Sequence, residues 1–138
     1  MKQSREFEWY DFNVLANSYI NQNSESKQRT GISRYYYGTF CTMRDFLKEN
    51  NIYLNQKSRK IMNSRTADVH GETSKIFRKH EKFQKNNIGS IISKELNKLR
   101  RMRNEADYDK VTSNSLKLMM MSSKIKSELI LSLLHEIN

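Results

Sequence analysis

The sequence predicts an all-α protein, a bundle of four main helices with one or two short helices between the second and the penultimate one. Three observations carry that prediction. Apolar residues recur three and four positions apart along most of the chain, the spacing of one helical face. Proline is absent from the 138 residues and only four are glycine, so long helices meet few breaks. An all-β chain would need more turn residues than these. At this length residues 1–138 read as a single domain. Such a domain buries roughly two-thirds of its extended-chain surface and needs neither a disulfide nor a metal to fold.

Taken in order, residues 6–22 predict the first helix. Phe7, Tyr10, Val14 and Leu15 form its apolar stripe, widened by Trp9, Phe12, Ala16 and Tyr19. The Asn- and Ser-rich run Asn21 to Gln28 reads as a loop, because those side chains compete for backbone hydrogen bonds. Residues 29–49 predict the second helix, with Ile32, Tyr36, Phe40, Met43 and Leu47 on one face. Gly38 inside it costs about 1 kcal/mol relative to alanine, which close approach of a neighbouring helix explains. Tyr35 to Tyr37 have two readings: core residues with hydroxyls at the edge, which their spacing favours, or platforms for stacking bases.

Asn50 and Asn51 end that helix, and Lys57 to Asn63 predict a short one. Residues 64–72 read as a loop carrying His70, a solvated or structurally hydrogen-bonded histidine. Thr73 or Ser74 would cap a helix running to about Phe83. Residues 87–107 form the next long helix, with Ile88, Ile92, Leu96, Leu99, Met102 and Ala106 on its core face. Thr112, Ser113 and Asn114 are candidate caps for a last helix over 114–136. That helix has two apolar stripes, Leu118/Met121/Ile125/Leu129 and Leu116/Met120/Ile130/Leu134. One should face its own bundle and the other a second subunit; Met119 to Met121 read as adaptable packing.

Hydrophobic residues make up 36% of the chain, and no run approaches the ~18 apolar residues of a membrane span. The start, Met-Lys-Gln-Ser-Arg-Glu-Phe-Glu, is polar and predicts no signal peptide. A single cysteine, Cys41, makes no internal bridge, fits a reducing cytoplasm and reads as a buried structural thiol. It and the three histidines have no zinc spacing, so no metal and no cofactor is expected. The net charge of +10 and a pI near 9.8 favour polyanions, with salt-sensitive attraction to nucleic acid.

One stretch concentrates chemistry: Leu-Arg-Arg-Met-Arg-Asn-Glu-Ala-Asp-Tyr-Asp, Leu99 to Asp109, at the end of the penultimate helix. Arg103 and Asp107 share one helical face four residues apart, and Tyr108 follows. The set reads either as an exposed helix-end ion pair or as a grip for phosphate beside a titratable carboxylate and a phenol. Arg100 and Arg101 add positive charge.

Two segments resemble the HEPN superfamily (higher eukaryote and prokaryote nucleotide-binding domains), in particular its small stand-alone bacterial members. Ser33-Arg34-Tyr35-Tyr36-Tyr37-Gly38-Thr39-Phe40 is similar to the family's second-helix pattern, and Arg103-Asn104-Glu105-Ala106-Asp107-Tyr108 to its Arg-x-x-Ala-Asp-Tyr motif. With the final amphipathic helix, the likeness spans nearly the whole chain. It implies a HEPN-like bundle and a homodimer whose two motifs face a shared cleft. It also implies an RNA-directed role of toxin–antitoxin or phage-defence type, as a metal-independent endoribonuclease. The implied catalytic residues are Arg103, Asn104, Asp107 and Tyr108, with Arg100, Arg101 and Tyr36 contacting RNA. The departure is at Tyr108, where the family's ribonuclease motif carries histidine. No histidine lies between His80 and His135. Tyrosine, with a pKa of about 10, is a poor base, so weakened or absent cleavage is expected. The alternative is a non-catalytic partner module working with a minimal nucleotidyltransferase or another effector, with Tyr108 the residue modified. A basic helical DNA-binding protein ranks last, since no helix-turn-helix spacing stands out.

Overall fold

In a computed structural model, residues 6–137 are described, so the first five residues of the polar start lie outside them. The described residues form α1 (Tyr10–Ser18), α2 (Glu25–Glu49), α3 (Gln56–Met62), α4 (Val69–Lys79), α5 (Ile88–Tyr108) and α6 (Leu116–Ile137). Two 3-10 turns, Glu81–Phe83 and Lys85–Asn87, join α4 to α5. The protein is all-α, as predicted. None of these helices is long and apolar enough to cross a membrane.

Helix α2 is the central element, with α1, α4, α5 and α6 all packed on it. Its apolar face, Tyr36, Phe40, Met43 and Leu47, joins Ile76, Phe77, Ile92, Leu96, Leu99 and Ile130 in the main core. A smaller cluster gathers Ala16, Ile32, Tyr35, Ala106, Met119 and Met120 near the start of α2. Cys41 is buried and unbridged. The helix starts at Glu25, earlier than residue 29, because Ser24 caps it by accepting from the Lys27 N–H. The Ser content that reads as loop supplies the cap.

Helix α1 departs most from the expected pattern. It is shorter than residues 6–22, and its stripe of Phe7, Tyr10, Val14 and Leu15 lies exposed. Its buried face is Asn13 and Ala16, flanked by half-buried Trp9 and Phe12. The cause is the surface it meets. Asn13 and Thr39 both hydrogen-bond Ser127, so a polar seam joins α1, α2 and α6 and takes an asparagine where a leucine would leave it unsatisfied.

Helix α4 also starts earlier than expected. Asp68 accepts from the Gly71 N–H and caps a helix beginning at Val69, so His70 is helical and Thr73 and Ser74 are buried in it rather than capping it. The helix stops at Lys79, and Phe83 is buried from the first 3-10 turn. In α6 the cap is Ser115, whose hydroxyl accepts from the Leu118 N–H, not Thr112, Ser113 or Asn114. Met120, Ile130 and Leu134 of α6 face the bundle, while Leu118, Met121, Ile125 and Leu129 face outward. Its two-sidedness is as predicted.

Gly38 is where α1 crosses α2. A Cβ there would overlap the Asn13 Oδ1 and press on the Trp9 carbonyl oxygen at 3.1 Å. Gly38→Ala should therefore lower stability by about 1–2 kcal/mol, the overpacking outweighing the gain of up to ~1 kcal/mol in helix propensity. Urea unfolding measures this, and an unchanged or raised midpoint would show that α1 does not seat on Gly38.

Candidate functional site

The site forms where the last two turns of α5 meet the middle of α2. Arg103 points from α5 towards α2 and is only 9% exposed. Its guanidinium carbon lies 5.0 Å from the Tyr36 ring centroid, 5.2 Å from Tyr37 and 5.7 Å from Tyr108. Three ring faces thus stabilise a cation that cannot lose its proton. Its formal partner is distant: Nη1 is 3.9 Å from Asp107 Oδ2 and 3.3 Å from the Tyr108 hydroxyl. The buried Nε–H has no hydrogen-bond acceptor. The expected exposed ion pair is therefore a recessed guanidinium held mainly by aromatic rings.

Asp107 is placed by α2, where the Ser33 hydroxyl donates to its Oδ2 at 3.3 Å. The end of α5 is held by Arg29, from the first turns of α2. Its Nη1 donates to the carbonyls of Glu105, Ala106 and Asp109, and its Nη2 to that of Lys110. The last carbonyls of a helix lack partners within it and attract cations, so Arg29 closes α5 and sets the position of Asp107 and Tyr108. Glu105 accepts from the Ser113 backbone N–H at 2.8 Å, which lowers its carboxyl pKa and ties down the chain after α5.

Tyr36 is 2% exposed, in keeping with the core reading that its spacing favours. Its ring is parallel to Phe40 on one side and meets Arg103 on another. Its hydroxyl lies 2.6 Å from His70 Nδ1. Burial pushes the Tyr36 phenol pKa up, so it keeps its proton and donates it to Nδ1. His70 Nε2–H then donates to Asn97 Oδ1 at 3.2 Å, and Ser74 donates to the same oxygen while bonding Ser93. Burial, with the field of Arg100, lowers the His70 pKa from 6.5 to about 4. Its imidazole is neutral at pH 7, sits behind Tyr36 and fixes that ring under Arg103. Tyr35 faces elsewhere, bonded to Asn17, its phenol raised to about 12 mainly by burial.

Of the predicted site residues, Arg103, Asp107, Tyr108 and Tyr36 come together, with Tyr36 as a support. Arg100 stands beside them, paired with Asp68 at 3.6 Å. Asn104 and Arg101 lie exposed on α5, outside the cluster. Sequence reasoning missed Arg29, Tyr37 and His70 as parts of the site. Asp68 ahead of Val69 was the available cap signal for His70; nothing near Arg29 in sequence points to a helix end some eighty residues away. Compared with known proteins, the chain matches no family model, no curated protein and no solved structure.

The buried neutral histidine has a pH consequence. The unfolded chain takes up a proton as pH falls below about 6.5, and the folded protein does so only near 4. Stability from this group is present above pH 6.5 and is lost as pH falls towards 4, a loss on the order of 3 kcal/mol. His70→Gln, which does not titrate, should lose less stability than wild type over that interval in urea unfolding. Identical pH slopes for the two proteins would place the acid sensitivity elsewhere.

Proposed function

We propose that this chain is an RNA-directed protein of the HEPN type, acting in toxin–antitoxin or phage-defence systems and gripping RNA phosphate with Arg103 in a homodimer cleft. The observation that carries this reading is the guanidinium itself. It is buried and permanently charged, stands 3.9 Å from the Asp107 carboxylate, and has an enclosed Nε–H without an acceptor among the described residues. A phosphate oxygen at the Nη groups, which are not enclosed as Nε is, would supply the charge that Asp107 at 3.9 Å leaves under-matched. Tyr108, 73% exposed, stands at the mouth of the site. Leu15, on α1, shares the adjoining cavity with Asp107, and its exposed side chain with Val111 beyond α5 gives a second copy apolar surface to meet.

The same geometry argues for weak chemistry. Cleavage through the 2′-hydroxyl needs a proton acceptor near neutrality. His70, the imidazole in the cluster, is enclosed behind Tyr36 with both ring nitrogens engaged. Asp107 is left as a weak base, so binding dominates and metal-independent endoribonuclease turnover is slow. The exposed Tyr108 hydroxyl favours the second reading, a partner module of a minimal nucleotidyltransferase. There the tyrosyl oxygen attacks the α-phosphate of a nucleoside triphosphate and pyrophosphate leaves.

Labelled single-stranded RNA titrated into wild type, Arg103→Lys and Arg103→Ala tests the first reading. Lysine keeps the charge without the planar fork and should weaken binding about tenfold or more, alanine further. Equal binding by all three folded proteins would make Arg103 structural. Intact-mass analysis of wild type and Tyr108→Phe, each co-expressed with a nucleotidyltransferase, separates the readings. A nucleotide mass on wild type alone favours the partner module.

A further inference from the structure

Arg103 is the middle of three arginines interleaved with aromatic rings along α2. Arg34 lies 4.5 Å from the Phe12 ring centroid and 5.3 Å from that of Tyr37. Tyr37 also carries Arg103, which lies as close to the neighbouring Tyr36 ring. Tyr36 stacks on Phe40 at 5.7 Å, and Phe40 lies 5.9 Å from the guanidinium of Arg44. Arg44 rests on Trp9 at 5.4 Å, and Trp9 meets Phe12 edge-on at 5.7 Å. The contacts close into a ring of cations and aromatics, which holds three guanidiniums in a fixed row. Arg34 and Arg44 stand ten residues apart on α2, about 15 Å along its axis, with Arg103 reaching between them from α5.

The row has space on both sides. A cavity of about 680 Å³ flanks Arg34 and Tyr37 and reaches Arg29, Ser33 and Asp107. A second, of about 560 Å³, flanks Phe40 and Arg44 and is lined also by Lys48 and Arg65. Two carboxylates touch the row, and each leaves donors available. Asp45 accepts from Arg44 Nε at 2.9 Å, away from the Nη pair, and from the Trp9 indole at 2.7 Å. Asp107 stands 3.9 Å from Arg103. Arg34 has one long bond, 3.5 Å to the Ser33 hydroxyl.

Resting on the RNA reading of the Arg103 site, we propose that the substrate is a single strand, laid extended along α2, with successive phosphates on Arg34, Arg103 and Arg44. A row of about 15 Å suits roughly three phosphates of an extended strand, and the two cavities take the nucleotides on either side. Duplex RNA is excluded by the recess. Its phosphates stand on a stiff convex surface, and a guanidinium only 9% exposed between three rings is reached by a flexible backbone. Tyr108, exposed beside Arg103, offers the face for a neighbouring base that buried Tyr36 does not.

Fluorescence anisotropy with labelled oligoribonucleotides of increasing length, and with a blunt RNA duplex, tests this on the full chain. Affinity should rise to a plateau near four nucleotides, and the duplex should bind at least about tenfold more weakly. Arg34→Gln and Arg44→Gln should each weaken binding about 5–20-fold and flatten the slope of log affinity against log salt by about 0.7, the loss of one phosphate contact. Arg78→Gln, an exposed position on α4, should change neither. Arg34→Lys and Arg44→Lys guard against misfolding: they should restore the salt slope while recovering affinity only in part. Loss of binding in Arg103→Ala with wild-type binding in Arg34→Gln and Arg44→Gln overturns the track and leaves the Arg103 site standing. Equal affinity for duplex and single strand also overturns it. Wild type that binds no RNA brings down the track and the underlying RNA reading together.

Discussion

The structure depends on burying one arginine. Removing a guanidinium from water costs several kcal/mol unless charge and hydrogen bonds replace the solvent, and Arg103 cannot escape by losing its proton. The protein supplies three tyrosine faces, a carboxylate at 3.9 Å and a phenol oxygen at 3.3 Å. That is enough to hold the cation and too little to satisfy it. A fully paired arginine would be inert. On the proposed reading this one receives a phosphate, and its rigid surroundings would reduce the ordering cost of that step.

The surrounding architecture holds the cation in that state. Tyr36 is fixed from behind by neutral His70, which is oriented by Asn97, Ser74 and Ser93 on α4 and α5. Asp107 and Tyr108 sit where Arg29 closes the end of α5. The supports come from α2, α4 and α5, and they meet around the middle of α2. The site is thus a property of the bundle. A peptide carrying only Arg103 to Tyr108 would hold the motif without the aromatic walls that keep the guanidinium recessed.

Helical periodicity made the fold class and the core of α2, α5 and α6 legible, because buried faces there are built from aliphatic and aromatic residues. The same rule inverted α1, whose stripe of Phe7, Tyr10, Val14 and Leu15 is exposed while Asn13 goes inside. A polar seam at Ser127 decides that orientation, and a partner more than a hundred residues away leaves no local trace. The Arg103–Asp107 spacing was visible, but its burial was not, since that depends on Tyr36 and Tyr37 arriving from another helix. Tyr36 was readable as core from its spacing, and it is buried. His70 was hidden by a short loop whose Asp68 starts a helix.

The reading turns on an Arg103 guanidinium that is under-paired in the resting protein and takes a phosphate oxygen from RNA at its Nη groups. Nitrogen-15 NMR of the arginine side chains, during titration with a short single-stranded oligoribonucleotide, measures that directly. The Arg103 Nε–H resonance, which senses charge placed anywhere on the guanidinium, should move as binding saturates. An Arg103 resonance that stays in place while RNA binds would contradict it.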